Sequence, residues 1–292
     1  MAAMTRNARF RALLKTPPLL CVGAHDPVTA KLAEQAGASA LFVSGYASAA
    51  VIAAQPDLGL VTQTEMFEHI RRICRATSLP VFADADTGYG GPLEAQRTLA
   101  LWEEAGASAL HVEDQVSPKK CGAFAGKEIV PIEEMQQKLR AMLEARRDPD
   151  FFVVARTDSF GVTSFDETIA RMQAYAAAGA DGLFVASPMT EEQLAETARR
   201  LKPLGKPLLC LLSRSQTTPF VSLKSAHALG FDFALAPIES LFAMHKAVGG
   251  VYELLLRTGE LEPVADRLTT FEEFNRFIGA DEAIERQRRY GA

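Results

Sequence analysis

Glu34-Gln-Ala-Gly-Ala-Ser-Ala-Leu-Phe-Val recurs as Glu103-Glu-Ala-Gly-Ala-Ser-Ala-Leu-His-Val. It recurs again as Ala177-Ala-Gly-Ala-Asp-Gly-Leu-Phe-Val, and loosely as Ala228-Leu-Gly-Phe-Asp-Phe-Ala-Leu-Ala. Each copy reads as the end of an amphipathic helix, a glycine stop and a buried apolar strand. Helix, glycine and strand in repetition mean parallel strands joined by crossover helices. Working outward from the copies gives eight strands: Leu19–Gly23, Ala40–Ser44, Pro80–Ala83, Ala109–Glu113, Phe152–Arg156, Gly182–Ala186, Pro207–Leu212 and Phe233–Ala236. Helix patterns lie between them, at Thr29–Gln35, Glu65–Ala76, Leu93–Ala105, Pro131–Arg146, Phe165–Ala178, Glu191–Lys202 and Leu241–Arg257. Eight such units predict a (β/α)8 barrel over residues 1–258, and no G-x-G-x-x-G follows the first strand to support a dinucleotide fold. Residues 259–292 share no barrel phrase and predict a helical extension, Thr270–Ile278 and Asp281–Tyr290. Its apolar residues Phe271, Phe274, Phe277, Ile278 and Ile284 need a surface to cover, and a second subunit would supply one.

In such a barrel, functional groups gather where strands end. The third strand runs into Ala83-Asp-Ala-Asp-Thr-Gly-Tyr-Gly-Gly, so Asp84 and Asp86 stand at a strand end beside a glycine-rich loop. Glu113, Asp114 and Gln115 end the fourth strand; Arg156, Thr157 and Asp158 end the fifth. His25-Asp-Pro ends the first, and Ser44-Gly-Tyr the second. Two carboxylates one residue apart cannot both be buried and charged without compensation. A hard cation compensates, and an all-carboxylate set favours Mg²⁺, with Mn²⁺ as the alternative, over zinc. Alone, Asp-x-Asp reads equally well as two solvated loop acids that cap the next helix.

The loop from Val116 to Pro131 is long and polar, and reads as a lid over the mouth. It holds Cys121 beside Lys119 and Lys120, a setting that predicts an acidified thiol able to act as acid or nucleophile. Cys21, Cys74 and Cys210 fall in apolar runs and read as core thiols. His69, His111, His227 and His245 fall on helix or strand patterns and read as structural.

The 292 residues carry a net charge of −5, which argues against a nucleic-acid partner. No run approaches the ~20 apolar residues of a membrane span, and Met1–Lys15 lacks the apolar core of a signal peptide. With four scattered cysteines, the expectation is a cytoplasmic protein with reduced thiols.

Taken together, Ser44-Gly-Tyr, Pro56-Asp-Leu-Gly-Leu, Ala83-Asp-Ala-Asp-Thr-Gly-Tyr-Gly, His111-Val-Glu-Asp-Gln, Pro118-Lys-Lys-Cys-Gly and Ala155-Arg-Thr-Asp resemble the signature segments of the isocitrate lyase/phosphoenolpyruvate mutase superfamily, in the same order. The resemblance implies a Mg²⁺-dependent barrel, commonly a homotetramer whose last helices are exchanged between subunits. It implies cleavage of a small 2-hydroxy di- or tricarboxylate to a 2-oxo acid through a metal-bound enolate. By the same resemblance Asp84 binds the metal directly, with Asp57, Asp86 and Glu113 around it through water. The backbone of Ser44, Gly45 and Tyr46 holds the 2-oxo acid carboxylate and Arg156 clamps the same fragment. Cys121 protonates the departing enolate, and Tyr46 joins Cys121 and Arg156 as catalytic. From spacing alone Asp57 reads as an ordinary turn aspartate.

Four positions depart from the superfamily pattern: Ala123 where the lid usually has histidine, Ala186 for a glutamate, Leu211 for an asparagine and Arg214 for a glutamate. The metal half thus matches and the rest of the substrate site is rewritten. An anionic group bound by Arg214 with Ser187 or Ser213 is the expectation. Oxaloacetate decarboxylation or hydrolysis, mutase-like C–P chemistry, and a non-catalytic 2-oxo acid binder are the alternatives.

Overall fold

The computed structural model describes residues 4–186, 189–212 and 222–291. Its eight strands form one closed, all-parallel barrel in sequence order, β1 pairing with β8. They are β1 (Leu19–Gly23), β2 (Ala40–Val43), β3 (Val81–Asp84), β4 (Ala109–Glu113), β5 (Phe152–Thr157), β6 (Gly182–Val185), β7 (Leu208–Leu211) and β8 (Phe233–Ala236). The described helices are α1 (Arg6–Leu14), α2 (Pro27–Gln35), α3 (Gly45–Ala53), α4 (Gln63–Ala76), α5 (Pro92–Ala105), α6 (Ile132–Ala145), α7 (Phe165–Ala177), α8 (Glu191–Leu201), α9 (Leu223–Leu229), α10 (Glu239–Thr258), α11 (Phe271–Ile278) and α12 (Ala280–Arg289). Each observed strand lies within one residue of its predicted bounds. The glycine stops are real: Gly106 and Gly230 cap α5 and α9 in the left-handed conformation.

Alternation along the strands divides the core in two. Leu19, Cys21, Ala40, Phe42, Phe82, Ala109, Phe152, Val154, Phe184, Leu209, Phe233 and Leu235 fill the lumen. Leu41, Val43, Val81, Ala83, Leu110, Val112, Val153 and Leu183 face the helical ring. A helix that periodicity did not predict, α1, closes the bottom. Its Phe10 is fully buried and sits edge-on to Phe152 with ring centroids 5.6 Å apart. Arg6 donates to the carbonyls of Cys74 and Thr77, and Arg11 donates to those of Asp150 and Phe151. The basic start of the chain therefore caps helix and loop ends.

The chain divides into two compact units, Met1–Leu241 and Phe242–Ala292. In the second, α11 and α12 pack together, and Phe274 and Phe277 lie 6.0 Å apart. Phe271, Ile278 and Ile284 of these helices are exposed. No described helix is long and apolar enough to cross a membrane.

Candidate active site

The C-terminal ends of β2 to β5 carry the site. Lumen parity fixes which side chains reach it. Asp84 follows Phe82, Glu113 follows His111 and Ala109, and Arg156 follows Val154 and Phe152. Register places them side by side, His111 opposite Asp84 and Glu113 opposite Arg156.

Asp84 is held from three sides. Its Oδ2 accepts the Gly45 N–H at 3.0 Å and its Oδ1 the Asp86 N–H at 2.9 Å. Trp102 Nε1 donates to its backbone oxygen at 3.0 Å. Gly45 is the first residue of α3, a helix rich in small side chains whose N-terminal end lies beside Asp84. A Cβ on Gly45 would lie 2.7 Å from Asp84 Oδ2, so only glycine lets α3 approach this closely. After Asp84 the chain turns sharply. Asp86 and Tyr89 take left-handed φ values of 46° and 61°, a strained choice for non-glycine residues. The Tyr89 ring packs on Trp102, and Thr98 donates to the Gly88 carbonyl.

Opposite stands Arg156. Its Nε and Nη2 grip Asp158 at 2.8 and 3.1 Å, and its Nη1 lies 2.9 Å from Glu113 Oε2. The guanidinium also covers the Phe184 ring at 5.7 Å. Neither oxygen of Glu113 accepts an aligned hydrogen bond, although the side chain is fully buried. Asp114, one residue on, points outward by the same alternation. It accepts from Thr157, Tyr175 and the Asp158 N–H, and so braces the strand end that carries Arg156 and Asp158.

The lid lies over this group. Lys119 is buried, with Nζ 2.5 Å from Asp57 and 3.0 Å from Asp86. Cys121 N–H donates to the Asp57 carbonyl at 3.0 Å, so Asp57 holds the lid by both main chain and side chain. The buried setting overrides the turn-aspartate reading of Asp57. Gly122 touches the floor: a Cβ there would meet the Ala186 carbonyl at 2.7 Å and Arg156 Nη2 at 3.2 Å. Lys127 Nζ reaches Asp158 at 3.5 Å.

Five carboxylates (Asp57, Asp84, Asp86, Glu113 and Asp158) thus face three cationic side chains, Lys119, Lys127 and Arg156. Two negative charges are left over, and the titration of the group reflects it. Burial, with Asp84 and Asp57 nearby, pushes Asp86 up to about 6. Burial and Asp158 push Glu113 well above the usual carboxylate range against the pull of Arg156. Burial also acts on Asp84, but His111, Lys119 and Arg156 outweigh it and hold that carboxyl below its ordinary value. Among the described residues no three His, Cys, Asp or Glu side chains converge as a ready-made metal cage, and Lys119 stands among them.

Two sequence readings change here. Cys121 is not acidified. Burial pushes its thiol up, because Lys119 turns into the carboxylates and Lys120 donates to the Gly126 carbonyl instead. His111, read as structural, lies in the site with Nδ1 3.6 Å from Asp84 Oδ1, and its ring stacks on Phe42. Burial lowers it to about 4, so it is neutral at pH 7. Its strand position hid it, although Glu113 two residues on shares its parity. Lys119 was visible only as a neighbour of Cys121. His25 is buried after the end of β1, where its Nδ1 meets Ser240 Oγ at 3.0 Å and its Nε2 lies 3.9 Å from Asp26 Oδ2. Tyr46 lies in the first turn of α3. Ser187, Ser213 and Arg214 fall outside the described residues.

A family model described as phosphoenolpyruvate phosphomutase matches residues 10–255. The chain belongs to the phosphoenolpyruvate phosphomutase family. This places it in the isocitrate lyase/phosphoenolpyruvate mutase superfamily. Family relatives include a 2,3-dimethylmalate lyase of Eubacterium barkeri, 36% identical over 98% of this chain and 99% of that one. A 2-methylisocitrate lyase of Bacillus subtilis is 40% identical over 86% of this chain and 82% of the relative. Among solved structures, a phosphonopyruvate hydrolase in complex with oxalate and Mg²⁺ superposes with a TM-score of 0.90 at 30% identity, covering 98% and 99% of the two chains.

Proposed function

We propose that this phosphoenolpyruvate phosphomutase family member is a Mg²⁺-dependent carbon–carbon lyase, splitting a small 2-hydroxy di- or tricarboxylate into a 2-oxo acid and a second carboxylate. One observation carries the reading: buried carboxylates in excess of their cations share a barrel mouth with Arg156 and lie under a lid bearing Cys121. The unaligned oxygens of Glu113 and the residual negative charge support a hard cation. Mg²⁺ keeps several waters and takes only one or two carboxylates directly, so a loose arrangement of acids suits it. Asp84 would hold it directly and Asp57, Asp86 and Glu113 through water, with Mn²⁺ as an alternative ion. Bound there, the ion supplies Lewis-acid stabilisation of charge on the 2-oxygen.

The protein's own groups do the rest. The backbone of Ser44, Gly45 and Tyr46 would hold the carboxylate of the forming 2-oxo acid, with the Gly45 N–H shared with Asp84, and Arg156 would orient the same fragment. The 2-hydroxyl proton leaves to the carboxylate cluster and the C2–C3 electron pair passes to C3. Cys121, protonated at neutral pH, delivers its proton to that carbon while the lid excludes water. Tyr46, at the α3 N-terminus, borders the reacting fragment. Arg214 and Ser187 are proposed to receive the distal anionic group.

The test is a 2-oxo acid release assay with Mg²⁺ on alkylmalates, 2-methylisocitrate, oxaloacetate and phosphonopyruvate, with oxalate also followed for oxaloacetate, with and without EDTA. Release from a malate derivative that EDTA abolishes supports the reading; metal-independent release, or none, overturns it. A second reading, decarboxylation or hydrolysis of oxaloacetate or C–P chemistry, draws on Ala123 standing beside Cys121 where a lyase lid usually has histidine. It requires activity on those substrates that survives Cys121→Ser. We further propose a barrel domain of residues 1–258 and a helical extension of 259–292 that is exchanged between subunits of a cytoplasmic homotetramer. Exposed Phe271 and Ile284 support this, and light scattering on the purified protein tests it.

A further inference from the structure

On the outer side of the barrel wall, α7 presses a polar stripe inward. Thr168, Arg171 and Tyr175 stand at i, i+3 and i+7, on one face of the helix. All three are buried, as are the apolar Ile169 and Met172 beside them. The stripe meets Asp114, the fully buried residue after β4, whose parity is opposite to that of Glu113. Tyr175 Oη donates to Asp114 Oδ2 at 2.8 Å, and Arg171 Nη1 lies 3.4 Å from the same oxygen. Thr157 Oγ1 donates there too, and Ser159 Oγ donates to Thr168 Oγ1 at 2.9 Å. A buried ion pair of this kind is weak grounds for stability, since apolar side chains of similar volume would hold helix to sheet at least as well. What apolar groups could not do is fix the two chain segments that the stripe reaches.

The first segment is the returning limb of the lid. Arg171 Nη1 donates to the Val130 carbonyl at 2.8 Å, and the Val130 N–H donates to the Asp114 carbonyl at 2.9 Å. Next along, Ile129 bridges Gln115 in antiparallel fashion and the Glu128 carbonyl accepts the Val116 N–H at 2.8 Å. Lys127 then reaches Asp158 at 3.5 Å. The second segment is the strand end that carries Arg156. Asp114 Oδ1 accepts the Asp158 N–H at 3.0 Å, and the Asp158 carboxylate grips Arg156. Lid limb and arginine clamp therefore meet twice, at Asp158 on the mouth side and at Asp114 on the helix side.

We propose that Arg171 and Tyr175 are positioning residues acting through Asp114: they hold the lid's returning limb and the Arg156–Asp158 clamp in one register, so that a single network places both the lid and the substrate fragment. Neither residue touches the reacting atoms. The effect on rate rests on the lyase reading above; the effect on the lid does not.

Two readouts test this. Trypsin cleavage of the native protein at Lys119, Lys120 and Lys127, timed by mass spectrometry, reads the lid. Release of 2-oxo acid with Mg²⁺ from alkylmalates and 2-methylisocitrate reads the rate. Arg171→Met should speed lid cleavage about tenfold or more, as the loss of one charge-assisted hydrogen bond would, and Tyr175→Phe about threefold. Both should lower kcat in the same order, with KM changing less. Arg171→Lys, which keeps the charge and a donor, should recover most of both. Arg11→Met is the control, because it frees loop carbonyls at the bottom of the barrel: it should lower the melting temperature and leave lid cleavage and kcat unchanged. If Arg171→Met does not fold, Tyr175→Phe decides. Lid cleavage that rises no more in Arg171→Met and Tyr175→Phe than in Arg11→Met overturns the proposal, whatever the activity. Faster lid cleavage at unchanged kcat and KM overturns the link to the clamp. Faster lid cleavage in the variants, with no turnover by wild type on any of these compounds, overturns the lyase reading alone.

Discussion

The two halves of the barrel mouth share one backbone geometry and differ in what their strands deliver to it. From β2 to β5 the lumen layer ends in Ser44, Asp84, Glu113 and Arg156, the last three tied into hydrogen bonds or ion pairs. From β6 round to β1 it ends in Ala186, Leu211 and the close backbone approach of Pro237 to Gly23. Among the described residues one half presents charge and the other apolar surface and backbone. On the function proposed above, the reacting groups come from the charged arc, and the choice of substrate falls to the residues of the other, so each could change without the other. Substitutions should separate accordingly: the charged arc should govern rate, the apolar arc only preference.

The largest break is expected at Asp84. Asp84→Ala removes the acceptor of the Gly45 and Asp86 amides and leaves Lys119 and Arg156 undercompensated. A loss in kcat on the order of 10³-fold or more is expected on every accepted substrate. Calorimetric titration of Mg²⁺ should show weakened binding in the same variant. If kcat/KM ratios among substrates shift instead, the division between the arcs is wrong.

Cys121→Ser comes next. The lid still closes, because the Cys121 amide, not the thiol, donates to Asp57. The rate of bond cleavage should drop about 10²–10³-fold, with KM little changed. Retention of full kcat would move the proton source elsewhere.

How much of this was legible beforehand depends on the signal. The glycine-stopped phrases carried the barrel because burial on both faces leaves strands as unbroken apolar runs. Two helices escaped. α1 has arginines where an apolar stripe would be expected, and α3, Gly45–Ala53, is built of small residues without a polar face. The acids at strand ends were readable because strand-end placement is set locally. Charge compensation was not, because it is decided across loops: Lys119 meets Asp57 over a separation of 62 residues, and turning there it leaves Cys121 unacidified. His111 was hidden by treating a strand histidine as core, when lumen parity with Glu113 would have placed it in the site.

His111 offers a third test, this time of stability. Folding lowers it from 6.5 to about 4, so between those values the unfolded chain takes up a proton that the native state refuses. Stability should therefore rise with pH across that window and be fully present above it. Going from pH 7 to 4 should cost about 3 kcal/mol from this group. Asp86, raised to about 6, works in the opposite sense, so the quantity to follow is wild type minus His111→Gln in urea unfolding at several pH values. No difference in slope between the two would mean that His111 titrates normally and lies outside the electrostatic arc. The same comparison with Leu209→Met, on the apolar arc, should show parallel slopes.

The finest contrast lies in two glycines, one in each arc, that occupy equivalent places just after a lumen strand or at its end. Both forbid a Cβ, for different reasons. At Gly45 the obstruction is a side chain, Asp84 Oδ2 at 2.7 Å and Cγ at 3.2 Å, and the backbone φ is unremarkable. At Gly23 it is main chain, the Pro237 carbonyl oxygen at 2.4 Å and its carbon at 2.6 Å. Gly45→Ala should therefore displace the Asp84 carboxylate and lower kcat up to about 10²-fold, with the melting temperature nearly unchanged. Gly23→Ala must push β1 and the β8 end apart and should cost about 1–3 kcal/mol of stability, while the folded fraction keeps its kcat. Activity and thermal melting of the same two preparations decide it. If both variants lose stability alike and both keep kcat, then α3 can yield as easily as a side chain, and the close fit of Gly45 against Asp84 has no part in the rate.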